Sequence, residues 1–125
     1  MGKLTGFGTF ASIPEERISD KIVRRVLSGE QGMIVWWSIA AGVHIEAHQH
    51  PNEQIVWMLK GHMELRVGDL RRTCGPGDVV VIPADTEHEG WINEDIEVID
   101  VFAPPRQDFL AGDRLSYLTD LTAET

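Results

Sequence analysis

The stretch "HQHPNEQ", residues 48–54, holds two histidines one residue apart and a glutamine four positions further on. Side chains of an extended strand alternate between its faces, so His48 and His50 point the same way. Gln54 has the same parity, and a tight connection through Pro51 and Asn52 brings it back beside them. A third imidazole, His88, lies one strand pair later in "PADTEHEGW". Three imidazoles and an amide oxygen are a donor set for one divalent transition metal (Ni, Zn, Fe or Mn). They leave one or two positions for water or a ligand. A lone histidine is ordinarily a surface or satisfied core residue; an alternating pair with a third imidazole in a β-rich chain points to metal. Glu53, the rival to Gln54, has the parity that turns it away unless a bulge intervenes. His44 shares the parity of His48 and is expected along the same cavity, outside the ligand set. His62 follows Gly61 in a turn and is expected to be exposed.

A second constellation lies in "IDVFAPPRQDFL", residues 99–110. Asp100 and Phe102 share strand parity and face the interior together. A carboxylate flanked by "IEVI" and "VFAP" is costly to bury without a partner or a role. Pairing with Arg24, Arg25 or Arg106 as structural glue and direct participation in chemistry are both open on the residues alone. Arg106 follows two prolines that fix the backbone, and its planar fork suits a carboxylate. A surface salt bridge is the plainer reading of the same residue, and core packing the plainer reading of Phe102.

The elements that position these groups are strands. Short runs rich in Val, Ile, Trp and Leu alternate with Gly, Pro and Asp, in "KIVRRVLS", "GMIVWWSIA", "HIEAHQH", "EQIVWMLKG", "HMELRVGD", "LRRTC", "DVVVIP", "HEGWIN" and "IEVIDVFAP". "VGDLRR" is a tight hairpin turn and "CGPGD" a turn into the next strand. The one helical signal is "PPRQDFLAG", with prolines at its start and glycine at its stop. Many strands without helical crossovers imply a sandwich or small barrel, all-β and a single domain. Its parts are an N-terminal extension with an edge strand (1–22), the barrel (23–110) and a C-terminal tail (111–125).

The chain has 125 residues, with 11 Lys and Arg against 20 Asp and Glu, a formal charge of −9. That balance argues against nucleic acid or an anionic membrane as partner, because both need a basic face. It leaves room for a small anionic ligand, which one local arginine can hold. Cys74 is the single cysteine, so no internal disulfide forms and a reducing, cytoplasmic setting is expected. The N-terminal residues lack the basic start and apolar run of a secretory signal. No apolar stretch approaches membrane-spanning length. Of the adjacent Trp36 and Trp37 one is expected to line the cavity. Trp57, opposite in parity to Gln54, is expected on an outer face, where an aromatic suggests a homodimer interface. No role is read into Cys74.

From Gly42 the sequence reads G-x5-H-x-H-x3-Q-x6-G to Gly61, which resembles the first motif of the cupins with Gln54 where Glu is usual. From Gly77 it reads G-x5-P-x-D-x2-H to His88 and resembles their second motif, with Asp85 in place of the usual glycine and Asn93 one residue late. The resemblance implies a cupin fold, a double-stranded β-helix or jelly-roll barrel. The H-x-H-P-x-E-Q form of the first motif and "IDVFAPPRQDFL" are similar to KdgF-like cupins, which linearise unsaturated uronates in pectin degradation. That likeness implies metal ligands at His48, His50, Gln54 and His88, and functional roles at Asp100, Phe102 and Arg106. Asp100 would move protons, Arg106 would anchor a substrate carboxylate, and Phe102 would line the substrate. The expected activity is a metal-dependent isomerase or tautomerase acting on a small anionic sugar acid. An Fe(II) cupin dioxygenase and a non-catalytic metal or small-ligand sensor are the alternative readings.

Overall fold

The computed structural model describes residues 6–112 and 117–120. Eleven strands form two antiparallel sheets. They are β1 (Glu15–Arg17), β2 (Ile22–Ser28), β3 (Met33–Ile39), β4 (Val43–His48), β5 (Glu53–Lys60) and β6 (Met63–Val67), followed by β7 (Leu70–Cys74), β8 (Val79–Ile82), β9 (His88–Ile92), β10 (Ile96–Ala103) and β11 (Leu118–Asp120). The six-stranded sheet runs β1-β2-β3-β10-β5-β8 and the five-stranded sheet β11-β4-β9-β6-β7. This all-β jelly roll is the fold expected from the sequence, and each of the nine predicted strands is present. Helix α1 (Gln107–Ala111) ends at Gly112, which takes the left-handed conformation, φ 73°. No helix among the described residues is long and apolar enough to cross a membrane.

Alternation produces the sandwich. β3 reads buried-exposed through Met33, Val35, Trp37 and Ile39 on its inner face, and β10 does the same through Ile96, Val98, Asp100 and Phe102. The core between the sheets is apolar, with Val35, Met58, Ile82 and Ile92 fully enclosed. Each such side chain contributes about 1.5–3 kcal/mol by leaving water. Turn chemistry sets the register. The β6–β7 hairpin closes through Gly68 and Asp69, with Val67 opposite Leu70 and Gly68 at φ 56°. Gly61 has φ 73°, and a Cβ there would collide with the Asp95 carbonyl. Asp85, at the position where the motif usually has glycine, adopts φ 57° and donates its N–H to the His50 carbonyl at 2.8 Å. Asp is one of the few residues that tolerate this region.

Candidate metal centre and active site

Four elements end or begin at one mouth of the barrel. β4 ends there at His48, β5 begins beside Gln54, β9 begins at His88, and β10 runs out past Phe102 toward Arg106. Register sets His48 directly opposite His88, and Gln54 between Phe102 and Ile82. His50 sits in the Pro51–Asn52 connection and is buried. The three rings cluster with centroids 4.3 Å (His48–His88), 4.9 Å (His50–His88) and 5.7 Å (His48–His50) apart. One nitrogen from each lies within 4.8 Å of the others.

The hydrogen bonds fix which nitrogen that is. His48 Nδ1 donates to the Glu46 carbonyl (2.8 Å), His50 Nδ1 to that of Asn52 (3.0 Å) and His88 Nδ1 to that of Thr86 (2.8 Å). A carbonyl only accepts, so each Nδ1 carries the proton and each Nε2 presents a lone pair. His88 Nε2 is buried without a partner. His50 Nε2 faces Gln54 Oε1 at 3.1 Å. Two acceptors that close suit a cation between them. The Gln54 amide also favours the charged form of Asp100 as a donor, which turns its nitrogen to the carboxylate and its oxygen to His50. A glutamate at 54 could not donate in this way. Burial pushes all three histidines below their ordinary range, His88 to about 4. They stay neutral, as ligands must be. The residues therefore fit one divalent ion held by His48, His50, His88 and Gln54, while Glu53 faces solvent.

Asp100 lies further in, on the same cavity wall as His88, Gln54 and Phe102. Burial raises its pKa from 3.8 to about 6, against the opposing pull of Gln54, Trp37 and Arg106. None of the arginines considered as glue pairs with it. Arg24 pairs with Glu16, Arg25 with Glu15, and Arg106 with Asp108. Asp100 Oδ1 and Trp37 Nε1 are both buried and complete no hydrogen bond of normal geometry. With His88 Nε2, they make three orphaned polar atoms around one small cavity of about 60 Å³. Natural proteins hold few such atoms, and those present call for an explanation.

Arg106 is 5% exposed rather than on the surface. Its Nε and Nη2 donate to the two Asp108 carboxylate oxygens at 3.0 and 2.6 Å, and Nη2 also donates to the Tyr117 hydroxyl at 3.2 Å. One edge of the fork is thus occupied, and Nη1 remains for a ligand. Phe102 and Phe109 lie beneath the guanidinium at 5.2 and 4.2 Å. Phe102 also meets His50 edge-on at 5.7 Å.

His44 departs from the expectation that it lines this cavity. The β4–β9 register shifts between Ile45 and His48, so a bulge breaks the parity. His44 pairs instead with Glu89 at 2.7 Å and stacks on Trp91. His62 is exposed beside Glu94. Trp37 lines the cavity while Trp36 faces out.

Two contributors were not anticipated. Tyr117, the chain's single tyrosine, stacks flat on His48 with centroids 3.9 Å apart. Asn52 Nδ2 donates to the Pro104 carbonyl at 2.6 Å and ties the His50 connection to the segment carrying Arg106. A buried asparagine beside a proline was the available signal for the second; being the lone tyrosine was the only one for the first.

A small antiparallel barrel with imidazoles converging at one mouth defines a class of proteins that can hold a metal ion on three histidines. The chain belongs to the cupin family: residues 35–102 match the Cupin domain. Among solved structures it is similar to an RmlC-like cupin from Shewanella frigidimarina, at 23% identity and TM-score 0.80, covering 87% of this chain and 99% of that one. It is similar to KdgF from Halomonas sp., at 27% identity and TM-score 0.75, covering 83% of this chain and 99% of that one. It also shares its fold with Bacillus subtilis oxalate decarboxylase, a protein with Mn(II) centres, at 19% identity and TM-score 0.70, covering 83% of this chain and 31% of that one. No curated protein is a significant sequence match.

Proposed function

We propose that this protein is a metal-dependent isomerase that opens the ring of 4,5-unsaturated uronates released from pectin or alginate. The observation that carries the reading is Asp100, a buried carboxylate without a cationic partner, in one cavity with the histidine cluster. The likeness to KdgF supports the substrate class. A divalent ion held by His48, His50, Gln54 and His88 would supply Lewis acidity toward a hydroxyl or ring oxygen of the substrate.

The substrate is a cyclic hemiacetal whose ring oxygen is also an enol ether. Opening breaks the bond between C1 and the ring oxygen and takes the proton from the anomeric hydroxyl. The products are an aldehyde at C1 and an enolate at C5, and the same single proton, delivered to C4, then gives the ketone. Atoms balance, and no electron is transferred. Asp100 Oδ1 takes the anomeric proton and returns one to C4. A pKa of about 6 suits a group that must do both near neutrality. Arg106 Nη1 holds the substrate carboxylate, with Asp108 fixing the opposite edge of the guanidinium.

Size determines how the ring enters. A dry cavity near ~150 Å³ accepts a benzene ring, whereas the inner cavity here is about 60 Å³. The sugar ring therefore occupies the outer mouth, about 500 Å³, between Pro51, Pro104, Pro105 and Gln107. Only its reacting edge reaches Asp100. The same small volume favours one other reading, an Fe(II) dioxygenase, because dioxygen and one end of a substrate would fill it.

The test is the ultraviolet absorbance of unsaturated galacturonate, or of its alginate-derived analogue, with metal-loaded protein in a closed cell fitted with an oxygen electrode. Decay faster than the spontaneous rate with no oxygen uptake supports the isomerase. Decay at the spontaneous rate defeats it, and oxygen consumption with iron alone transfers the assignment to the dioxygenase.

A further inference from the structure

Tyr117 lies beyond residues 35–102 that match the Cupin domain. Strand β11 brings it to the site by pairing with the edge of β4 away from β9, Leu118 opposite Ile45 and Asp120 opposite Val43. The backbone fixes it beside the histidine cluster. Glu46 donates its N–H to the Tyr117 carbonyl at 2.7 Å, and its own carbonyl accepts from His48 Nδ1 at 2.8 Å. One residue thus sets both rings, which stack with their planes 10° apart. His48, Arg106 and Tyr117 line both the inner cavity and the outer mouth. They form the neck that the reacting edge of a ligand passes on its way to Asp100.

The hydrogen bonds at this neck leave one donor over. A guanidinium only donates, so the Tyr117 oxygen is the acceptor in its 3.2 Å contact with Arg106 Nη2. The phenolic proton points elsewhere, and no acceptor meets it among the described residues. Arg106 commits Nε and one Nη2 proton to Asp108, and the other Nη2 proton to Tyr117. A carboxylate therefore cannot take both Nη atoms in the bidentate grip that arginine commonly offers. On that edge of the fork the donors left are Arg106 Nη1 and the Tyr117 hydroxyl. Asp108 also balances the charge of Arg106, so the hold on an anion depends on how many donors reach it.

We propose that the Tyr117 hydroxyl is the second half of a carboxylate clamp, with Arg106 Nη1 as the first, and that the pair selects sugar acids over neutral sugars. The proposal rests on the assignment of a uronate substrate and names the residue that reads its charge. One carboxylate oxygen accepts from Nη1 and the other from the phenol. Accepting from Arg106 polarises the phenolic O–H, which makes it a stronger donor than a lone hydroxyl. The stack on His48 holds the ring in place beforehand, so little freedom is lost when the anion arrives.

Tyr117→Phe tests the clamp, because it keeps the ring against His48 and removes one oxygen. The probes are D-galacturonate, which has the carboxylate but no enol ether to react, and its methyl ester, the same ring without the charge. Calorimetric titration into zinc-loaded wild type should show a preference for the acid. In the variant the acid should bind about 10–100-fold more weakly, the loss of one hydrogen bond to a charged group. Ester affinity, zinc binding and far-UV circular dichroism should not change. With unsaturated galacturonate, the effect should fall on KM rather than kcat. Unchanged affinity for galacturonate in Tyr117→Phe overturns the proposal. So does an equal loss for acid and ester, which a merely structural role of the ring would give, and so does a wild type that binds the two alike. Decay of unsaturated galacturonate at the spontaneous rate, with the acid preference present in wild type and lost in Tyr117→Phe, defeats the isomerase assignment and upholds the clamp.

Discussion

Asp100→Asn should stabilise the metal-free protein at neutral pH and do nothing for it in acid. The folded-state pKa of about 6 lies above the ordinary 3.8, so the folded chain holds this proton more tightly than the unfolded one. The associated stability is fully present below pH 3.8, is lost as pH rises through about 6, and is absent above. The shift corresponds to about 3 kcal/mol at ~1.4 kcal/mol per pH unit. Asparagine keeps the shape and never ionises, so it removes that penalty where the carboxylate would be charged. For a domain of this size about 3 kcal/mol is roughly 10 °C in Tm. The assay is thermal unfolding of chelator-treated wild type and Asp100→Asn from pH 4 to pH 8. The histidines titrate identically in both proteins and cancel from the difference. A Tm gap near zero at pH 4 that opens to roughly 10 °C by pH 7.5 is the expected result. A gap that does not change with pH refutes the reading of Asp100 as a carboxylate buried at a cost. The same variant should lose about 10²–10⁴-fold in turnover if Asp100 moves the proton.

Gln54→Glu should tighten metal binding, because it adds a charged donor, and should raise the acid limb of the pH–rate profile by setting a second carboxylate beside Asp100; calorimetric titration and the rate profile check the two effects. Metal affinity should persist as pH falls below 6.5, the ordinary histidine value, and be lost by about pH 4, since burial lowers all three histidines and His88 to about 4. The same lowered values mean that metal-free stability contributed by these histidines is lost as pH falls from 6.5 toward 4, and urea unfolding over that range measures it. Asn52→Ala breaks the link to the Pro104 carbonyl and should destabilise by about 1–3 kcal/mol. It should also weaken metal binding and raise KM together, because it loosens His50 and Arg106 at once.

Much of this site is legible in the sequence. Period-two alternation is a strong signal where one face is buried, and it located the nine long strands together with the inward parity of Asp100 and Phe102. The motif glycines were legible for a like reason: Gly42, Gly61 and Gly77 all require positive φ. β11 escaped because a strand of three residues carries no usable alternation. His44 was misplaced because a bulge is one extra residue, and parity counting cannot see it. The hold of Asp108 on Arg106 spans two residues around a helix start and leaves no periodic trace. Tyr117 reaches His48 only because β11 pairs with β4, a contact between distant parts of the chain.

The claim beneath all of this is that three Nε2 atoms and Gln54 Oε1 converge on one ion. Long-range ¹H–¹⁵N spectra of the histidine rings, recorded while the chelated protein is titrated with Zn(II), test it directly. The Nδ1–H tautomer at His48, His50 and His88 before addition is the expected result, followed by a shift of all three Nε2 resonances that is complete at one equivalent per chain, with the Gln54 side-chain amide moving in step. Shifts confined to Nδ1, or no saturation at one equivalent, would contradict the site.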